Sequence, residues 1–195
     1  AGEAPPIRQL LLAEETAVVP DGISVVKAMN LLGLPAKERI TGVDLADKLL
    51  RRAGEQGKSV YLLGAKEEVV SALAQKLKAQ YPQMEVRYKN GYGKDKDADF
   101  REIEAFQPDL VLVALGVPAQ EKLIARHLGN FSKGVFIGVG GSFDVLSGSK
   151  RRAPALFVKT NTEWLYRILR EPSRLGRFYR NNIKFLGEVR KEAKG

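Results

Sequence analysis

The chain has 195 residues, 44% of them hydrophobic, which suffices for one domain with a sizeable core and excludes disorder throughout. It holds no cysteine and a single histidine, His127, so disulfides, thiolate or paired-histidine metal sites and a Ser-His triad lack support. The net charge of +9 sits at one end: residues 1–149 carry 19 basic and 19 acidic side chains and residues 150–195 carry 13 and 4, a neutral body with a basic tail that suits a polyanionic partner such as nucleic acid, an anionic membrane surface or a phosphate-rich substrate.

The pattern predicts a helix over residues 5–15 and a short strand at Ala17-Val18-Val19 that ends in Pro20-Asp21-Gly22. A helix through Val25, Val26, Met29 and Leu32 follows, closed by Gly33, and a loop holding Glu38 and Arg39 leads to Thr41-Gly42-Val43-Asp44 and a helix reaching about Arg52. Ser59 to Leu63 reads as a strand stopped by Gly64. Val69, Val70, Leu73 and Leu77 then recur at helical spacing, and a strand around Val86 runs into Asn90-Gly91-Tyr92-Gly93. A helix holding Phe100, Ile103 and Phe106 precedes the most informative stretch. There Leu110 to Leu115 is apolar at every position, as suits a strand covered on both faces, and stops at Gly116-Val117-Pro118-Ala119-Gln120-Glu121. After a helix through Leu123 and Ile124, a last strand, Val135-Phe136-Ile137, breaks into Gly138-Val139-Gly140-Gly141-Ser142-Phe143-Asp144.

Five strands alternating with helices predict an α/β fold, a doubly wound, Rossmann-like parallel sheet with helices on both faces, over residues 1–150; residues 151–195 form a basic helical appendage. The Gly-containing turns after the strands gather on the carboxyl edge, where such sheets bind ligands. The turn at Gly116 to Gln120 can equally be an ordinary strand-to-helix connection.

Two familiar nucleotide motifs fail here. Phe143 stands where a dinucleotide fingerprint needs its third glycine, and no G-x-x-x-x-G-K-[ST] phosphate loop exists. Asp95, Asp97 and Asp99 have metal-like spacing, but a lysine-laced loop before a helix favours capping and solvation. Asp21, at a strand's carboxyl end, suits either general base work or a helix N-cap. His127 reads as surface or packing. In the tail, Trp164, Leu165, Ile168 and Leu169 share a helix face while Arg167, Arg170, Arg174 and Arg177 recur on another. That pattern fits a solvated basic face, a membrane-surface helix or an arginine clamp on diphosphate.

Pro20-Asp21-Gly22, Glu38 to Asp44, Gly91-Tyr92, Pro108-Asp109, Gly116-x-Pro118-x-Gln120-Glu121, Gly138 to Asp144, Arg152-Ala153-Pro154, and Glu163-Trp164-Leu165-Tyr166-Arg167 with Glu171-Pro172-x-Arg174 together resemble the WecG/TagA/CpsF glycosyltransferases over nearly the whole chain. The resemblance implies inverting transfer of N-acetylmannosamine from a UDP-sugar donor to N-acetylglucosamine on a polyprenyl (undecaprenyl) diphosphate lipid, in cell-surface polymer synthesis such as that of wall teichoic acid, with no cofactor and no required metal. Relatives that move N-acetylmannosaminuronic acid, glucose or galactose keep the donor sugar open, and a basic-tail nucleic-acid-binding protein is the alternative from another class. Carried over, it makes Asp21 the catalytic base, Arg39 and Gln120 catalytic-site residues handling phosphate and sugar, and Tyr92 and Asp144 uridine contacts. Gly116, Gly138 and Gly140 then line the nucleotide site, and Arg167, Arg174 and Arg177 become diphosphate and membrane ligands. The expected location is cytoplasmic, peripheral on the inner face of the cell membrane, with no nucleic-acid partner and with self-association into a homo-oligomer left open. Family members usually begin earlier, with a strand and a Thr-x-Asn motif that supplies an active-site threonine. The opening Ala1-Gly2-Glu3-Ala4-Pro5 does not carry that motif, which bears on the activity of this polypeptide and not on its fold.

Overall fold

Four parallel strands organise the first of two compact units into which the chain divides, as seen in a computed structural model that describes residues 9, 11–34, 36 and 38–193. The first unit is Gly42–Lys150, joined by the described residues up to Val18; the second is Val19–Thr41 with the described residues from Arg151 on. A reading along the chain places one boundary at residue 150, whereas three-dimensional contacts group Val19–Thr41 with the basic tail. Of the helix expected over 5–15, residues 5–8 and 10 lie outside the described residues.

In the first unit, strands β1 (Ser59–Gly64), β2 (Glu85–Lys89), β3 (Leu110–Ala114) and β4 (Val135–Gly138) form one sheet in the order β2-β1-β3-β4. Register pairs Leu62 with Leu112 and Leu112 with Ile137. Strand residues point alternately to the two faces, and both faces are covered, which is why β1 beyond Ser59 and all of β3 carry apolar or aromatic side chains. Val60, Leu62, Leu110 and Leu112 pack beneath α2 (Gly42–Glu55), α3 (Glu67–Gln80) and α6 (Ser142–Leu146) with Leu50, Leu73 and Phe143. Tyr61, Leu63, Val111 and Val113 pack on the other face with Phe100 and Ile103 of α4 (Lys96–Phe106) and Leu123 and Ile124 of α5 (Ala119–His127). Each fully buried Val or Leu in these layers contributes roughly 1.5–3 kcal/mol relative to exposure.

The amino ends of β1 and β3 are joined by Asp109, whose Oδ2 accepts from the Ser59 N–H at 2.9 Å and the Ser59 hydroxyl at 2.8 Å. Those two donors, with Lys133 beside the other oxygen, lower the Asp109 pKa to about 2. At the carboxyl ends the strands approach so closely that a Cβ on Gly64, where φ is +127°, would lie 2.4 Å from the Ala114 carbonyl oxygen.

Two expectations are corrected and one, for His127, is sharpened. The sheet has four strands, because residues 17–19 form none: Val18 is exposed, and the neighbouring Pro20 carbonyl takes one isolated bond, from the Ile40 N–H at 3.0 Å. Asp99 is not a solvated loop acid; it is buried at the start of α4 with Lys89 at 3.2 Å and Lys96 at 3.4 Å. His127 is a packing residue and more, stacked on Phe100 while Nδ1 meets Glu104 at 2.6 Å and Nε2 meets Asp97 at 2.8 Å.

The second unit contains α1 (Ile23–Leu31), α7 (Ala155–Lys159), α8 (Glu163–Arg170), α9 (Leu175–Phe178) and α10 (Phe185–Glu192), with a π-helical turn at Tyr179–Lys184. Helix α1 packs against α10, and its Ser24 hydroxyl donates to Asn182 Oδ1 at 2.7 Å.

Candidate functional site

The candidate residues fall into both units. In the sheet unit the turns after β1, β2, β3 and β4 converge on one edge, as expected of a doubly wound sheet. The Gly91 N–H donates to the Ala65 carbonyl at 2.8 Å, and the Tyr92 N–H to Asn90 Oδ1 at 2.9 Å, which fixes the turn while the Tyr92 ring stays 72% exposed. A ring held out on a fixed turn can stack on a base.

Gln120 holds two of these turns together. Its side-chain oxygen accepts from the Gly116 N–H and from the Gly140 N–H, both at 3.1 Å, and its amide nitrogen donates to Glu121 Oε1 at 2.8 Å. Only 2% of Gln120 is exposed, and a Cβ on Gly138 would lie 2.5 Å from Gln120 Nε2, so the glycine makes room for the glutamine. Gln120 therefore works through the turns after β3 and β4. The β3 turn includes the cis Val117-Pro118 bond, and Gly140 adopts φ +50°. The other Glu121 carboxylate oxygen is buried without a hydrogen bond. Asp144, in the first turn of α6, pairs with Lys150 at 3.4 Å.

The acidic run beside this edge is accounted for residue by residue. Asp95 caps α4 by accepting from the Ala98 N–H at 2.8 Å. Asp97 takes both Arg126 and His127, which lower its pKa, the histidine bond chiefly. On the neighbouring strand Lys89 is raised by its bonds to Glu102 and Asp99, and the buried Tyr61 phenol is pushed above its ordinary value by desolvation, then by its bond to Glu102.

The second unit holds Asp21 and Arg39. The bond from Ile40 N–H to Pro20 carbonyl sets the two segments side by side, so Asp21 and Arg39 flank one backbone contact. Asp21 is exposed, and the N-cap position of α1 is held by Gly22. Arg39 Nη2 donates to Glu163 Oε2, the Arg39 and Glu163 side chains being 10% and 6% exposed. Arg152 Nε stands 3.6 Å from the other Glu163 oxygen. Sequence reasoning quoted Glu163 and Arg152 only as motif letters. The available signal was statistical: an acid among residues that are mostly basic is a candidate ion-pair partner.

On α8 the Trp164 ring stacks on Phe178 at 4.3 Å, and Trp164, Leu165, Ile168, Leu175, Phe178 and Ile183 line an apolar trough of about 510 Å³. Leu169 is exposed, and the Arg170 guanidinium lies 5.9 Å from the Tyr166 ring. The side chains of Arg167, Arg174 and Arg177, expected as diphosphate and membrane ligands, lie outside the described residues.

Comparison with known proteins bears on this arrangement. The family model "Glycosyl transferase WecG/TagA/CpsF family" matches residues 2–195. Proteins named N-acetylglucosaminyldiphosphoundecaprenol N-acetyl-beta-D-mannosaminyltransferase are 39% identical over 170 residues in Bacillus spizizenii strain W23, over 165 in Bacillus subtilis strain 168 and over 168 in Staphylococcus aureus strain MW2. These alignments cover 87%, 84% and 86% of this chain and 66%, 64% and 66% of the relatives, so the chain spans a little under two thirds of their length.

Proposed function

The chain belongs to the WecG/TagA/CpsF family of glycosyl transferases, and from that premise we propose that it serves inverting transfer of N-acetylmannosamine from a UDP-sugar to N-acetylglucosamine on undecaprenyl diphosphate. The single observation that carries the reading is the family match from residue 2 to residue 195, with relatives at 39% identity that bear the name of this transferase.

In the proposed mechanism the Asp21 carboxylate takes the proton of the acceptor sugar's attacking hydroxyl. The oxygen attacks the anomeric carbon from the face opposite the leaving group, the bond to the donor diphosphate breaks, and UDP departs with the electron pair. An exposed carboxylate next in sequence to Pro20, whose carbonyl accepts from the residue after Arg39, supports this role, with Arg39 proposed to meet the charge that develops on the departing diphosphate. Tyr92 and Asp144 serve the uridine; Gln120 acts by holding the Gly116 and Gly140 turns at the sheet edge.

The acceptor's lipid explains features that a soluble substrate would not. The excess of basic residues after position 149 suits an anionic lipid surface, at about 1 kcal/mol for each Lys or Arg close to it. The trough beneath Trp164 and the exposed Leu169, Leu175, Tyr179 and Ile183 offer apolar contact for acyl or prenyl chains. No helix among the described residues is long and apolar enough to cross a membrane, so binding is proposed to be peripheral. Assay of a panel of UDP-sugars with a short-chain polyprenyl-diphosphate-linked N-acetylglucosamine tests the reading, in this chain and in a form extended to the length of its relatives. Transfer from UDP-N-acetylmannosamine above the other donors is expected; transfer from none of them overturns it.

A further inference from the structure

We propose that Glu121, in the first turn of α5, is a specificity-determining residue whose second carboxylate oxygen accepts a hydrogen bond from a hydroxyl or amide N–H of the sugar nucleotide. The assignment rests on the reading above and adds a group that meets the UDP-sugar. The starting point is the direction of a hydrogen-bond chain. The Gly116 and Gly140 N–H groups can only donate, so the Gln120 atom they share is its oxygen, and the amide nitrogen must face Glu121 as a donor. Glu121 Oε1 is thereby fixed as an acceptor at 2.8 Å. Oε2 is buried and, among the described residues, takes no hydrogen bond. Gln120 needs only one acceptor oxygen from its neighbour, and a neutral glutamine would supply it. A second carboxylate oxygen kept from both water and donors disfavours the resting fold, so the acid at position 121 is accounted for by a group that arrives.

The surroundings select that group. Glu121 as a whole is half-buried, so part of it reaches the surface, and rotation of the carboxylate presents Oε2 to a ligand at the sheet edge. The two turns that Gln120 joins are bare there: a Cβ on Gly116 or Gly140, at φ +81° and +50°, would meet nothing within 4 Å. That open space admits a ligand against the glycine backbone. A carboxylate accepts and cannot donate, and it repels phosphate oxygens, so its partner is an O–H or N–H on an uncharged part of the nucleotide. Hydroxyls of the ribose and the hexose, the N–H of an acetamido group and the imide N–H of uracil share that chemistry. A charge-assisted bond of this kind in a site shut from water discriminates strongly against a ligand that lacks the O–H or N–H.

Titration calorimetry of the whole chain with UDP and with UDP-N-acetylmannosamine tests the assignment. Glu121→Gln keeps an oxygen for Gln120 and loses the charge, so affinity for UDP-N-acetylmannosamine should fall about tenfold with the unfolding temperature of the unligated protein not lowered. An equal loss for UDP assigns the bond to the nucleoside, and an unchanged UDP affinity assigns it to the hexose. A deoxy analogue that lacks the bonded hydroxyl should lose about tenfold in the parent and little in the variant, because both changes remove one bond. A merely structural Glu121 would lower the unfolding temperature on substitution and leave both affinities alone. Absence of saturable binding of either ligand to the parent, or unchanged affinities in folded Glu121→Gln, overturns the inference. Should Glu121→Gln fail to fold by circular dichroism, the parent decides: the Glu121 carboxylate carbon resonance should move on saturation with UDP-N-acetylmannosamine, and an unmoved resonance overturns the bond. Glu121-dependent binding without sugar transfer would uphold the site and overturn only the choice of reaction, whereas transfer indifferent to Glu121 would do the reverse.

Discussion

The two units solve opposite problems with opposite materials. The sheet unit buries two apolar layers around β1 and β3, where Tyr61, Leu62, Leu63, Val111, Leu112 and Val113 are fully covered. Its buried polar groups, Gln120 above all, have partners that fix turns. The second unit covers far less apolar surface: Val26, Ala28 and Val189 are buried, Leu169, Leu175, Tyr179 and Ile183 are exposed, and a charged cluster of two arginines and one glutamate stands at its centre of interest. A scaffold built for stability places apolar residues inside and gives its buried polar groups partners, with one Glu121 oxygen as the exception. A region built to meet an anionic, lipid-borne ligand leaves apolar side chains outward and keeps positive charge in surplus.

The sharpest way to break this comparison is to remove chemistry from the second unit without touching the first. Asp21→Asn keeps shape and loses basicity, so turnover on the lipid acceptor should fall about 10²–10⁴-fold with the unfolding midpoint and UDP-sugar affinity little changed. Single-turnover kinetics in the form extended to the relatives' length check this, and a fully active variant would remove Asp21 from the base role.

The converse substitution strikes the sheet unit. Gln120→Ala leaves the Gly116 and Gly140 N–H groups without their acceptor in a buried place, at about 1–3 kcal/mol each. A loss of roughly 2–4 kcal/mol in chemical denaturation is expected, with both glycine amides exchanging hydrogen faster. Gln120→Leu, which keeps the volume but has no acceptor, should lose most of that stability as well. A Gln120→Leu variant as stable as the parent would mean that packing, not the paired bonds, is what Gln120 contributes.

How far the chain could be read in advance follows the same division. The sheet was legible because a parallel strand covered on both faces must be apolar throughout, and Leu110 to Ala114 is. Residues 17–19 carry the same apolar signal over too short a stretch, and no neighbouring strand takes up their backbone groups. The grouping of Val19–Thr41 with the tail was not legible, since it rests on contacts such as Ser24 with Asn182 across 158 positions. Gln120 was legible as a sheet-edge residue; its grip on Gly140 from 20 positions away was not. Arg39 came from motif resemblance, Asp21 was offered as base or N-cap by its own setting and given the base role by that resemblance, and Glu163 emerged only when the arginines were seen around it.

A smaller effect is expected at the opposite end of the sheet. Asp109 has a folded pKa of about 2, below an unfolded value of about 3.9. The stabilisation from its bonds to Ser59 is therefore complete above about pH 4 and is lost as pH falls toward 2. With the side chain 27% exposed, solvent screening limits it to about 1–2 kcal/mol. Asp109→Asn should lower stability by that amount at pH 7, and the variant and the parent should converge near pH 2 in urea denaturation. A constant gap across that range would show that the Ser59 contacts act through shape alone.

The smallest expected effect is none at all, on adding a chelator. Asp95, Asp97 and Asp99 have the spacing of a cation loop, yet each carboxylate already has its own counterpart: the Ala98 N–H for Asp95, Arg126 and His127 for Asp97, Lys89 and Lys96 for Asp99. A cation binding there would have to displace ammonium, guanidinium and imidazole groups from acids that hold their helix in place. The proposed diphosphate ligands are arginines, which supply positive charge and directed donors together. Turnover in EDTA should thus match turnover in magnesium or manganese, and asparagine at Asp97 should lower stability without creating a metal requirement. Activity lost to EDTA and restored by either ion would reassign the diphosphate's counter-charge from the second unit's arginines to a metal.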